Sequence, residues 1–107
     1  MPQHTHADAD DVFAEIGTSL LQQAFGARKR SRAQSVEHGR NWLQSNRRAI
    51  CLAIKNPELQ GLLKGGGSQE EEQIRAIADI IVSYAFGIPP LVLARAILVL
   101  GETWFCD

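Results

Sequence analysis

Residues Ile80–Gly101 read IIVSYAFGIPPLVLARAILVLG, and Arg95 is the only charged residue among these twenty-two. The length is enough for one membrane span, but two features oppose that reading. Gly87 and the pair Pro89-Pro90 interrupt the segment, because proline lacks the amide that an α-helix needs in its interior. Arg95 at a bilayer centre would cost roughly 2.5 to 3.5 kcal/mol. The stretch therefore predicts two shorter helices, the first closing near Phe86 and Gly87 and the second running from about Pro89 to Glu102, folded into an apolar C-terminal helical hairpin. Both helices are apolar on most faces, a pattern found in central core helices and in seams between subunits. If the GIPP turn lays one helix back on the other, Asp79 and Arg95 lie eight residues either side of Gly87. They are the expected buried ion pair.

Upstream, Arg75, Asp79 and Ser83 recur at four-residue spacing and leave nearly everything else apolar: Ile74, Ile77, Ala78, Ile80, Ile81, Val82, Tyr84, Ala85 and Phe86. Ser68 followed three residues later by Glu71 has the form of a capping box, which sets the expected start of this helix. Gly65-Gly66-Gly67-Ser68 before it reads as a flexible linker. Asn56-Pro57 signals another start, asparagine as cap and proline at the first helical position, for a short helix to about Lys64.

A longer helix is expected over about Ser35–Lys55, with Val36, Leu43, Ile50 and Ile54 inward, Trp42, Ala49 and Ala53 beside them, and Arg40, Arg47 and Arg48 outward. Gly39 weakens it by about 1 kcal/mol relative to alanine. The first helix begins near Asp8 or Asp10, whose carboxylates favour a helix N-terminus. Its apolar stripe is Val12, Phe13, Ile16, Leu20, Leu21, Ala24 and Phe25, and Gly26 ends it. Residues 1–7 are read as a loose tail and 8–107 as one domain. Neither an internal repeat nor a strand is evident, so the fold class is all-α, a small bundle of four to five helices.

Composition agrees. In 107 residues, 45% are hydrophobic and 21% charged, as in ordinary globular domains, and one core is expected at this length. The net charge of -1 hides a segregation of sign. Residues 1–27 hold four acids and no lysine or arginine, residues 28–48 hold seven bases against Glu37, and residues 49–107 hold four bases against seven acids. Arg28, Lys29, Arg30, Arg32, Arg40, Arg47 and Arg48 are thus the candidate anion-binding set. Phosphate contacts by such a set would give salt-dependent nucleic-acid affinity. The favoured reading is a solvated face complementing the acidic helices.

Cys51 and Cys106 are the only cysteines, both beside apolar residues, and are read as reduced thiols in a reducing cytoplasm. The N-terminal MPQHTHADADD lacks the basic and apolar regions of a secretory signal. His4, third in the chain once Met1 is removed, offers a generic copper-type nitrogen set, but the tail is read as unstructured, and no metal or cofactor is predicted. His38 and the two cysteines have no assigned catalytic partner. Glu70, Glu71 and Glu72 are consecutive and fan out around a helix. No enzymatic activity is predicted.

The function expected from these residues is that of a protein interaction or oligomerisation module. Leu91, Ala94, Leu98, Trp104 and Phe105 are the contact residues, and a homodimer or a protein partner is the expected assembly. Nucleic-acid association through Arg28–Arg48 and a membrane-active hairpin stand as alternatives, the latter disfavoured by Arg95 and the prolines.

Overall fold

The structure is a computed structural model that describes residues 8–25, 31–64 and 70–107. Among the described residues the chain is entirely helical. Its α-helices are α1 (Ala9–Phe25), α2 (Arg32–Ser45), α3 (Arg47–Ile54), α4 (Pro57–Lys64), α5 (Glu70–Ile81), α6 (Pro90–Leu100) and α7 (Glu102–Cys106), with one 3-10 turn at Val82–Tyr84. Four to five helices were expected. The larger number comes from two local breaks: Asn46 departs from helical geometry between α2 and α3, and Gly101 at φ +86° separates α6 from α7.

Local chemistry explains most of the boundaries. Asp8 and Asp11 cap α1 reciprocally, the Asp11 amide donating to Asp8 Oδ1 at 2.9 Å and the Asp8 amide to Asp11 Oδ2 at 3.2 Å. Helix α2 begins three residues earlier than Ser35. Ser31 and Gln34 form a capping box there, each side chain accepting from the other's amide at 3.1 Å. Asn56 Oδ1 accepts from the amides of Glu58 and Leu59 at 2.8 and 3.3 Å, which is the cap expected at Asn56-Pro57. Gly65–Ser68, the Ser68 half of the box with Glu71, residues 1–7 and Gly26 lie outside the described residues.

Helices α1 and α2 pack backbone to backbone, and glycine makes it possible. A Cβ on Gly17 would lie 1.8 Å from the main-chain oxygen of Ser35, and one on Gly39 would lie 1.8 Å from that of Phe13. The helices run antiparallel, Phe13 level with Gly39 and Gly17 level with Ser35, and their backbones touch. Thr18 Oγ1 donates to the buried Ser35 hydroxyl at 3.2 Å beside this crossing. Gly39, read as a weak point of its helix, is instead where α1 seats.

Around this pair, α6 packs against both α1 and α5, α4 against α5, and α3 against α7. One core joins Val12, Phe13 and Ile16 of α1, Leu43 of α2, Ile50 and Ile54 of α3, Leu59 of α4, and Ile74, Ile77 and Ile81 of α5 to Leu93, Ala94 and Ile97 of α6 and Phe105 of α7. Each large aliphatic chain buried there contributes roughly 1.5 to 3 kcal/mol. No helix of the described residues is long and apolar enough to cross a membrane.

Helix α5 stops at Ile81, five residues short of the expected Phe86. The chain tightens into the 3-10 turn, and Ala85 enters the left-handed region at φ 53°. With α5 ending at Ile81 and α6 starting at Pro90, Gly87 is not the midpoint of two helices in direct succession, and the equal spacing on which the Asp79–Arg95 pairing rested does not apply.

Candidate functional site

Arg95 pairs with Glu15 of α1, not with Asp79. Both side chains of the pair are about one-third exposed, so the contact ties α6 to α1 at the edge of the core. Asp79 is exposed and lines a cleft of about 590 Å³ between α4 and α5 with Asn56, Glu58, Ser83 and Tyr84.

The expected contact residues divide sharply. Ala94 and Phe105 are core residues, 0% and 2% exposed, with no surface to offer a partner. Leu98 and Trp104 are half-buried, and Trp104 sits edge-on to Phe105 at 4.9 Å and tilted against Phe13 at 5.9 Å. Leu91 alone is open, at 49% exposure.

Sequence periodicity missed the residues that join it. Val82 is 56% and Tyr84 41% exposed, both read from spacing as part of an apolar helix. Among the described residues, three of the four large apolar side chains that stand open thus fall between positions 82 and 91, in the connection from α5 to α6 and the first turn of α6. Tyr84 and Phe86 stack with ring planes 10° apart and centroids at 6.0 Å. Val82, Ala85, Phe86, Ile88, Pro90 and Leu93 help to line a cup of about 190 Å³.

Hydrogen bonds hold this connection in place. Gln23 Nε2 donates to the carbonyl of Gly87 at 3.2 Å, Asn56 Nδ2 donates to the Tyr84 hydroxyl at 3.4 Å, and the Ser83 hydroxyl donates to the carbonyl of Ile80 at 3.0 Å. A left-handed alanine costs roughly 1 to 2 kcal/mol, and such strain persists only where the surroundings enforce it. The sequence signal for this site was the pair of aromatics flanking Ala85 just before Gly87, too short a pattern to separate from a helix end.

The described members of the candidate anion-binding set meet different partners. Arg32 pairs with Asp11 at 2.7 Å, Arg40 stands 5.9 Å over the Phe13 ring, and Arg47 donates to the main-chain oxygen of Asp107. Arg48 is exposed, and Arg28, Lys29 and Arg30 lie outside the described residues. The hydrogen bond from Arg32 holds the Asp11 carboxyl below its ordinary range. Glu102 is lowered likewise, first by a hydrogen bond from Gln60 and then by Lys55.

Cys51 and Cys106 are joined in a disulfide, with Cα atoms 5.2 Å apart, which overturns the expectation of reduced thiols. Helix α7 folds back on α3 and brings together residues 55 positions apart, a proximity that apolar neighbours in sequence do not encode. The inference from reduced cysteines to a reducing cytoplasm loses its premise. The bond lines a groove of about 630 Å³ with Gln44, Ser45, Arg47, Arg48, Leu52 and Phe105. Among the described residues no cluster of histidine, cysteine and carboxylate side chains has the form of a metal site. Comparison with protein-family models, with curated proteins and with solved structures finds no match for this chain.

Proposed function

We propose that this chain is a helical protein interaction module that associates with a second copy of itself through the tip of its C-terminal hairpin, residues 82–91. The observation that carries the reading is the concentration of exposed Val82, Tyr84 and Leu91 in that one segment. Tyrosine is enriched among the few residues that supply most of the free energy of a protein interface, and Val82 and Leu91 add apolar area beside it.

Two further features favour a second copy as the occupant. A two-fold interface requires one patch to be complementary to itself. The tip carries both projecting side chains, Val82 and Leu91, and an apolar cup lined by Phe86, Ile88 and Pro90. In addition, no charged residue occurs from Ile80 to Ala94, so two tips can meet without repulsion or the cost of desolvating an ion. Arg32 pairs with Asp11, Arg40 stands over the Phe13 ring and Arg47 donates to the Asp107 main chain, which favours a protein partner over nucleic acid.

Sedimentation equilibrium across a hundred-fold range of concentration tests the proposal. The expected result is a mass rising from 11.8 kDa toward twice that value. A mass that stays at 11.8 kDa over the whole range would remove self-association.

A further inference from the structure

We infer that the Cys51–Cys106 disulfide is a thiol-exchange site, at which an anionic low-molecular-mass thiol attacks Cys106 and releases Cys51. Both sulfurs belong to half-buried residues that line an open groove, so an attacking thiolate can reach them from solvent. The groove, about 630 Å³, is of a size that accommodates small organic ligands. Its lining suits a thiol bearing carboxylates: Arg48 is exposed with no ion-pair partner among the described residues, and Leu52 beside it is 73% exposed and offers an apolar contact.

The two sulfurs are not equivalent. Arg48 precedes Cys51 by three residues on α3, one turn away on the same helix face, whereas the Arg47 guanidinium is engaged by the main-chain oxygen of Asp107. Cationic groups beside a sulfur stabilise it as thiolate, and a stabilised thiolate leaves faster in exchange. Cys106 is followed directly by Asp107, which disfavours negative charge there.

The balanced step is therefore attack of the incoming thiolate on Cys106 Sγ. The Cys51–Cys106 bond breaks, a mixed disulfide forms on Cys106, and Cys51 departs as thiolate. A second equivalent of the same thiol frees Cys106 and is itself oxidised to its disulfide, so the protein gains two electrons and the thiol supplies them. Helix α7 remains seated during the first step, because Phe105 is in the core and Glu102 bonds to Lys55 and Gln60 at 3.1 Å.

The test uses the intact chain with reduced glutathione and with cysteamine, an anionic and a cationic thiol. Rates per thiolate are divided by those of the same thiols with a small neutral disulfide, and products are trapped with iodoacetamide for peptide mass mapping. The expected outcome is a preference for glutathione of about five-fold at low salt, from one charge contact in water. That preference falls toward one in 1 M salt and in Arg48→Gln, and trapped glutathione maps to Cys106. A normalised rate ratio of one at low salt, glutathione on Cys51, or reduction of the disulfide only at the rate of global unfolding would each overturn it.

Discussion

Alanine at position 17 should unfold this protein more readily, although alanine is the better helix former. In a solvent-facing helix, glycine to alanine stabilises by about 1 kcal/mol. Gly61 is that case: it lies in α4 with nothing within 4 Å of where its Cβ would be. At Gly17 the added carbon would lie 1.8 Å from the Ser35 main-chain oxygen, about 1.6 Å inside the 3.4 Å at which ordinary contact begins. The obstacle is backbone on α2, so the helices themselves must separate, which loosens Phe13, Ile16 and Leu43 in the core. Overpacking of this kind costs about 1 to 3 kcal/mol and at times more. Because both partners here are main chain, the upper part of that range applies, leaving a net loss of about 2 kcal/mol after the gain in helix propensity. For a domain near this size, Tm falls by about 4 to 8 °C per kcal/mol. Thermal unfolding followed by circular dichroism should therefore show Gly17→Ala and Gly39→Ala roughly 10 °C below the parent and Gly61→Ala a few degrees above it. Equal Tm values for Gly17→Ala and Gly61→Ala would refute the close crossing.

The Arg95 partner is tested by double-mutant cycles with Arg95→Ala: Glu15→Ala should couple to it by up to about 1 kcal/mol, as expected of a partly exposed pair, and Asp79→Ala hardly at all. Urea unfolding that ranks them the other way would restore the Asp79 pairing. Reduction of Cys51–Cys106 should lower stability by up to about 4 kcal/mol, the loop-entropy value for a 55-residue separation, seen as a lower urea midpoint in the presence of a dithiol reductant. An unchanged midpoint with both thiols shown to be free would contradict that. Asp11 and Glu102 both titrate below their ordinary values of 3.8 and 4.5 in the folded chain, so the stability that they contribute is complete above those values and is lost as the pH falls through the lower folded ones. Urea midpoints between pH 6 and pH 2.5 should show a shallower acid decline in Asp11→Asn combined with Glu102→Gln, and an identical decline would count against these two groups.

The parts of the fold legible in the sequence were those set by local chemistry. Asp8 and Asn56-Pro57 act within three or four residues of themselves, so their caps and the resulting starts of α1 and α4 were readable, and the apolar stripe of α1 was enough to select Val12, Phe13 and Ile16 as core. What was not readable depended on distant partners. Gly17 carried no signal, because only the approach of Ser35 gives it a role, and Gly39 was read with the wrong sign for the same reason. The ion pair of Arg95 was assigned by symmetry about Gly87, which failed once α5 ended at Ile81. The cysteines were judged by their neighbours in sequence, whereas their pairing follows from the fold of α7 onto α3. At the candidate site, Leu91 was legible because a nearly all-apolar helix must leave some face open. Val82 and Tyr84 were not, since their exposure follows from the turn that replaces the end of α5.

The central functional claim is that residues 82–91 drive association, and the most direct test is light scattering on the chain beside Val82→Lys and Leu91→Lys. Both positions are open to solvent, so lysine there leaves the core intact, and a charge placed in a desolvated patch opposes its burial. The parent is expected to form a dimer at high concentration and each variant to remain at 11.8 kDa with unchanged thermal stability of the monomer. Variants that dimerise as readily as the parent would contradict it.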